Sequence, residues 1–177
     1  SLEGNGVTLD RIADFGEVTS YDATSPEDAC ERIKHAEILL CNKTPVTEET
    51  LRAAKNLKYI GLLATGYNNI DLETAKELGI TVCNAGGYST DAVAQLIFGY
   101  MLEKYCRLSD YSDFAAVGGW RNCRTFSPIL FETHELAGKT LGIVGFGAIG
   151  KKVAKIADAF SMKVICYTRT PRECDYV

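Results

Sequence analysis

The distribution of apolar and polar residues along the chain predicts short buried strands that alternate with helices. Apolar runs of strand length are followed by segments with apolar residues at helical spacing, and glycine, asparagine or proline marks many of the boundaries. The predicted strands span residues 37–41, 57–63, 80–83, 141–144 and 163–167, with a further candidate at 17–21. The predicted helices span residues 7–14, 26–35, 47–54, 72–78, 90–110 and 149–160. This alternation is typical of parallel α/β sheets.

The predicted helix at residues 90–110 is too long for a routine crossover between two strands, and it favours a chain of two domains. One of its faces carries Ala92, Leu96 and Tyr100. The segment 115–135 that follows has weak periodicity, so it is expected to be an irregular connection.

The predicted fold class is α/β, with two doubly wound parallel-sheet domains that are flavodoxin-like and Rossmann-like. We expect the first domain at residues 1–88 and the second at residues 89–177. The first lacks an opening strand and the second has only two strands, whereas a full dinucleotide-binding fold has about six. Both domains are therefore expected to be incomplete, as in a fragment of a longer protein.

A glycine motif lies between the strand at 141–144 and the helix that follows it. Gly145, Gly147 and Gly150 form G-x-G-x-x-G. In dinucleotide-binding folds the first glycine allows the turn, the second lets a pyrophosphate approach the backbone, and the third lets helix and strand pack closely. The motif predicts a dinucleotide site, and the alternative is a purely structural strand–turn–helix connection.

Three loops follow the carboxyl ends of predicted strands in the first domain, where open α/β sheets bind ligands. The backbone N–H groups near Thr65 and Gly66 are suited to a small carboxylate, and Lys43 is suited to an anionic substrate. The alternatives are a capped turn at residues 65–71 and a solvated lysine. The third loop, at residues 84–90, contains two glycines and is equally suited to capping the long helix.

The end of the strand at 163–167 bears on the choice of cofactor. NAD sites normally place an acid there, about 20 residues after the glycines. This chain has Thr168 and Arg169 instead, followed by Arg172. Guanidinium groups pair well with phosphate, which favours NADP or weakens discrimination against it. The alternative is that both arginines are solvated and that NAD is held by the turn alone.

Composition and charge narrow the classes of function. Hydrophobic residues make up 46% of the 177 residues and charged residues 24%, as in ordinary globular proteins. The formal net charge of −4 argues against a nucleic-acid surface, which needs clustered lysine and arginine. No apolar run approaches the roughly 20 residues that span a membrane.

The cysteines and histidines offer little chemistry. Seven cysteines at irregular spacing, with no C-x-x-C, predict reduced thiols, no metal site and a cytoplasmic location. His35 and His134 are expected to be surface or structural residues.

Three segments together resemble the D-isomer-specific 2-hydroxyacid dehydrogenases. They are ATGYNNID at residues 64–71, NAGGYSTDAVAQ at 84–95 and ELAGKTLGIVGFGAIG at 135–150, and Trp120-Arg121 also fits the family's spacing. Within the family, residues 41–45 and 93–95 are most similar to glycerate dehydrogenases, also called hydroxypyruvate reductases.

The resemblance implies roles for individual residues. Thr65 and Gly66 match the loop that holds the substrate carboxylate, and Lys43 matches a substrate-side loop position. The matching pyrophosphate turn consists of Gly145, Phe146, Gly147, Ala148, Ile149 and Gly150. Thr168 and Arg169 match the ribose-binding position, with threonine in place of the usual acid, so the implied cofactor is NAD or NADP.

The resemblance also implies an activity and a partner. The family member would be a homodimeric oxidoreductase that transfers hydride between NAD(P)H and a small 2-oxo acid such as hydroxypyruvate or glyoxylate. The family's catalytic arginine, glutamate and histidine belong to segments beyond Val177, so we expect the 177-residue chain to be inactive alone. The alternative is a non-catalytic, nucleotide-sensing co-regulator of the same fold.

Overall fold

The computed structural model describes residue 8 and residues 10–170 of the chain. The backbone clusters into two compact units, unit 1 (Ser1–Gly86) and unit 2 (Gly87–Val177). Both contain parallel strands and α-helices, which confirms the predicted α/β class.

Unit 1 contains a three-stranded parallel sheet in the order β1-β2-β3. The strands are β1 (Ile38–Cys41), β2 (Tyr59–Leu62) and β3 (Thr81–Asn84). The helices are α1 (Pro26–Ile33), α2 (Glu48–Ala53) and α3 (Leu72–Glu77), preceded by a 3₁₀ helix at Asp10–Phe15. Each of these α-helices is preceded by a capping residue whose side-chain oxygen accepts a hydrogen bond from a backbone N–H of the first turn. The capping residues are Ser25, Thr47 and Asp71.

The core of unit 1 lies between its three helices and one face of the sheet. Leu51 of α2 packs in this core with Ile60 and Leu62 of β2, and all three are almost fully buried. The opposite face of the sheet carries side chains that the described helices leave uncovered, among them Ile38 and Leu40. The described sheet is therefore packed on one side.

Unit 2, as far as residue 170, contains a two-stranded parallel sheet and three helices. The strands are β4 (Thr140–Val144) and β5 (Lys163–Tyr167). The helices are α4 (Thr90–Cys106), α5 (Leu108–Ala116) and α6 (Ala148–Ala159). Phe98 of α4 stacks on Phe160, which follows α6, with ring centres 5.5 Å apart. These rings join the core cluster that includes Val153 and Val164.

Successive side chains of β4 and β5 point to opposite faces of the sheet, so one apolar face lies in the core and the other lies outside it. Leu141 and Val164 point toward the core, whereas Val144, Ile165 and Tyr167 are exposed at 86%, 51% and 68%. Paired residues of neighbouring strands share a face, so the three exposed side chains form a continuous apolar surface.

The long predicted helix is two helices. Arg107 has a φ of 53°, in the left-handed region, and it separates α4 from α5. The apolar face identified from the sequence, with Ala92, Leu96 and Tyr100, is exposed. Ala94 and Phe98 are instead buried against the core of unit 2. Because α4 is apolar on several sides, periodicity alone did not identify the packed side.

Other sequence predictions differ from the structure near the amino terminus. No strand forms at residues 17–21, and a 3₁₀ helix begins at Asp10 within the predicted segment 7–14, of which residues 7 and 9 lie outside the described part. Over the residues that the structure describes, no helix has the length and apolar character needed to cross a membrane.

Candidate functional site

The three strands of unit 1 end level with one another. Cys41 pairs with Leu62, and Leu62 pairs with Asn84, so the last residues of all three strands share one row of the sheet. The connections that follow therefore leave from the same edge, where parallel α/β sheets bind ligands. Lys43, Thr65 and the segment 85–87 lie on these connections.

The loop after β2 is tied to both of its neighbours. On one side, the side-chain amide of Asn69 donates to the carbonyls of Asn42 and Thr44, at 3.2 and 2.8 Å. On the other side, the Asn84 amide donates to the Thr65 carbonyl at 2.8 Å, and the Thr65 hydroxyl donates to the Ala85 carbonyl at 3.3 Å. These bonds fix the position of Thr65 and Gly66.

The amides of Thr65 and Gly66 are available to an anion. Both residues are exposed, and neither N–H donates a hydrogen bond to any group among the described residues. Two successive unpaired backbone N–H groups at a fixed loop are able to hold a small carboxylate. The side chain of Asn68 approaches the position of a Gly66 Cβ to 3.5 Å, which is ordinary contact.

Lys43 is exposed on the connection that Asn69 holds. It forms no ion pair with a carboxylate in the described part of the chain, so its charge is available. Cys41, two residues earlier, is buried, and burial raises the pKa of its thiol. The thiol therefore stays protonated and contributes packing under this edge rather than a nucleophile.

The glycine turn of unit 2 has a stereochemical reason for two of its three glycines. Gly145 has a φ of 99°, which favours glycine, and its N–H donates to the Tyr167 carbonyl at 2.8 Å. A Cβ on Gly150 would lie 2.3 Å from the Gly145 carbonyl oxygen. Only glycine at position 150 lets α6 begin this close to the end of β4.

The middle glycine of the motif, Gly147, has neither a positive φ nor a close neighbour that would require glycine within the described structure. Its φ is −82°, and a Cβ there would meet no atom within 4 Å. It stands at the start of α6, where the first N–H groups of a helix have no intrahelical partner and favour anions. An open approach to these amides fits a pyrophosphate group.

The remaining residues of the turn have distinct positions. Phe146 is buried in the core cluster of unit 2, so its side chain anchors the turn from below. Ala148 and Ile149 form the exposed first turn of α6. The sequence match identified Phe146 with the turn but did not distinguish this anchoring position from the exposed ones.

Thr168 and Arg169 directly follow β5. They lie beside the glycine turn, because the Gly145 N–H is hydrogen-bonded to Tyr167, the last residue of that strand. The Thr168 hydroxyl donates to the Thr170 carbonyl. Arg169 is exposed and forms no ion pair with an acid of the described residues. Arg172, the other candidate for a 2′-phosphate, lies outside the described residues.

The two histidines lie away from these loops. His35 is exposed in the connection that leads into β1, at the opposite edge of the sheet from Lys43. His134 stands 3.6 Å from Glu132 and packs edge-on against Tyr105 in unit 2. Sequence reasoning placed neither in a catalytic role. Sequence reasoning missed the hydrogen bonds by which Asn69 and Asn84 join neighbouring connections. The only feature of the sequence that indicated such a role is that both residues follow predicted strands.

Parallel strands joined by helices, with a glycine turn at a helix amino terminus, define an α/β protein of Rossmann type. Comparison with known families identifies the group. The model of the D-isomer specific 2-hydroxyacid dehydrogenase catalytic domain matches residues 5–172, and the chain belongs to this family. The resemblance noted from the three sequence segments is thereby confirmed.

Similar curated proteins carry the names of small-acid reductases. The chain is 35% identical to glycerate dehydrogenase of Methylorubrum extorquens, over 89% of this chain and 50% of the relative. It is 38% identical to hydroxypyruvate reductase of Blautia hydrogenotrophica, over 86% and 48%. It is 42% identical to glyoxylate reductase of Thermococcus litoralis, over 79% and 43%. The chain thus spans about half the length of these relatives.

Solved structures give the same result. A protein from Thermus thermophilus superposes with a TM-score of 0.81 and 33% identity, covering 99% of this chain and 56% of that one. An acyclic imino acid reductase solved with NADPH and D-Arg has a TM-score of 0.74 and 30% identity, covering 94% and 53%. D-Lactate dehydrogenase of Aquifex aeolicus, solved with NAD and lactic acid, has a TM-score of 0.64 and 35% identity, covering 81% and 42%.

The contacts around Gly147 and Gly150 predict different effects of an added methyl group on stability. Gly150→Ala forces a Cβ into the Gly145 carbonyl and should lower the free energy of unfolding by about 1–3 kcal/mol. Gly147→Ala adds the same atom to open space and should change it by less than about 1 kcal/mol. Urea denaturation of both variants measures the difference, and equal losses would contradict this account of the turn.

Proposed function

We propose that the protein of which this chain forms part is an NAD(P)-dependent oxidoreductase that acts on a small 2-oxo or 2-hydroxy acid. The observation that carries the proposal is the pair of unpaired amides at Thr65 and Gly66, beside the free charge of Lys43. A carboxylate is the common group of such substrates, and this edge of unit 1 offers donors and positive charge for it. The names of the similar reductases support hydroxypyruvate or glyoxylate as the 2-oxo acid.

The proposed roles divide between the two domains, at residues 1–88 and 89–177. In the first, Thr65 and Gly66 donate to the substrate carboxylate and Lys43 attracts it. In the second, Gly145, Gly147 and the first amides of α6 hold the pyrophosphate. A bound nicotinamide dinucleotide supplies the hydride donor or acceptor for the interconversion of the two acids.

The activity is tested with the protein at its full natural length, by the loss of reduced-nicotinamide absorbance with hydroxypyruvate or glyoxylate. Lys43→Gln should raise KM for the 2-oxo acid about tenfold, because a charge-assisted contact is lost. Lys55→Gln is the matched control, since Lys55 is an exposed lysine in the connection that enters the sheet at the opposite edge. Cofactor binding without turnover of any 2-oxo acid would instead favour the nucleotide-sensing alternative.

For the cofactor, we propose NADP in preference to NAD. Arg169 is an exposed guanidinium with no acidic partner among the described residues, beside the turn proposed to bind the pyrophosphate. Thr168 stands where an acid would hold the 2′-hydroxyl of NAD and repel a 2′-phosphate. The NADPH-bound reductase and the NAD-bound lactate dehydrogenase among the similar structures support a nicotinamide dinucleotide of either kind.

The preference is measured on the 177-residue chain by calorimetric titration with ADP-ribose and with its 2′-phosphorylated form. We expect the 2′-phosphorylated form to bind more tightly than ADP-ribose. Arg169→Ala should weaken binding of the 2′-phosphorylated form about tenfold and leave binding of ADP-ribose unchanged. Arg124→Ala, an exposed arginine of the irregular segment, should alter neither. A wild-type chain that binds both probes equally would refute the NADP preference.

We further propose that the protein forms a homodimer through unit 2. Leu96 and Tyr100 on α4 are exposed at 56% and 69%, and Phe126 and Ile129 of the irregular segment at 91% and 88%. Exposed large apolar side chains, when they form a contiguous patch, are typical of association surfaces, and Leu96 and Tyr100 lie one turn apart on α4. A second copy presents the same apolar side chains, which suits a self-complementary two-fold interface.

Sedimentation velocity tests the dimer. Tyr100→Glu should raise the dimer dissociation constant at least about tenfold, because a charge replaces an aromatic side chain of the proposed interface. Phe15→Glu is the control, since Phe15 is an exposed aromatic side chain of unit 1. A wild-type protein that sediments as a monomer would contradict the proposal.

We also propose a cytoplasmic location. The six described cysteines are all thiols rather than disulfides, Cys41 among them in the core. Reduced thiols are typical of proteins from reducing compartments.

A further inference from the structure

A second concave site lies at the end of unit 2 away from the glycine turn. It is a cavity of about 460 Å³, lined by residues of α4, of β4 and of the segments that precede β4 and β5. The lining residues used below are Met101, Tyr105, Leu136, Lys139, Leu141 and Met162. Its volume falls within the range of small-molecule sites, about 300–1,000 Å³.

The cavity is separate from the proposed cofactor site. It adjoins Thr140, the first residue of β4, whereas Gly145 follows the last residue of the same strand. A strand advances by about 3.3 Å per residue, so Thr140 and Gly145 are roughly 16 Å apart along β4. No proposed role in hydride transfer accounts for a cavity at this amino-terminal edge.

The lining combines an apolar base with one available cation. Leu136 and Met162 are buried, and Met101 and Leu141 are half-buried beside them. The Lys139 ammonium lies 5.6 Å from the centre of the Tyr105 ring. Lys139 forms no ion pair with an acid of the described residues, so its charge is offset only by the face of that ring.

This combination selects the chemical class of a ligand. The apolar base favours a hydrophobic body, and methionine sulfurs pack well against aromatic rings. The single lysine at the rim favours one carboxylate rather than a polyanion. We propose that this cavity binds an aromatic monocarboxylate, with its ring between Met101 and Met162 and its carboxylate at Lys139.

The chain provides its own probes of the site. It contains two methionines, Met101 and Met162, and both line the cavity. Labelling the methionine methyl groups with ¹³C therefore gives two NMR signals that both report on this cavity. The 177-residue chain is titrated with 3-phenylpropionate, and in parallel with the uncharged 3-phenylpropanamide.

The proposal predicts saturable shifts of both methyl signals with 3-phenylpropionate, and binding of the amide that is about fivefold weaker. Lys139→Gln should weaken binding of the acid by the same factor and leave binding of the amide unchanged. Lys163→Gln is the control, because Lys163 starts the paired strand beside Thr140 but does not line the cavity. It should change neither affinity.

A second variant tests the space rather than the charge. Ala137 is exposed and lines the cavity, so Ala137→Trp should fill it and abolish the shifts without removing any core side chain. Shifts that never saturate, equal affinity for acid and amide, or unchanged binding in Ala137→Trp would each overturn the proposal. An equal loss in Lys139→Gln and Lys163→Gln would also overturn it, since it would indicate diffuse charge attraction.

Discussion

The close approach of Gly150 to the Gly145 carbonyl determines how the turn of unit 2 is built. A Cβ would lie 2.3 Å from that oxygen, so the first turn of α6 packs directly over the end of β4 only because position 150 has no side chain. Phe146, between these glycines, is drawn into the core. With both ends fixed, Gly147 and the first amides of α6 face open space in a defined arrangement, which costs little further ordering when an anion binds.

Unit 1 reaches a comparable result by hydrogen bonding instead of steric fit. Its three strands end in one row, and the amides of Asn69 and Asn84 then join the three connections through backbone carbonyls. A loop without such ties would lose conformational entropy on binding a carboxylate. Because the loop after β2 is held on both sides, and Thr65 itself by Asn84 and Ala85, the amides of Thr65 and Gly66 are positioned before any ligand arrives.

The sequence was sufficient for features with a local cause. The five strands follow from apolar runs and lie close to the predicted segments, and the glycine motif identified the turn. The failures have tertiary causes. The break at Arg107 requires a left-handed backbone at a residue other than glycine, so no helix-ending glycine marks it in the sequence. Which side of α4 is packed is decided by the core that it shares with α6, and the sequence made no prediction of that side. Likewise, the bridging by Asn69 depends on a carbonyl 25 residues away.

The one-sided packing of the sheet in unit 2 makes its two faces independent of each other. The inward faces of β4 and β5 are already buried with α4 and α6, while Val144, Ile165 and Tyr167 remain in contact with solvent. A second layer can be added to that outer face without opening the first, since the two layers share no side chains. The outer face of this sheet can therefore be covered or left open without any change in the buried side that α4 and α6 form.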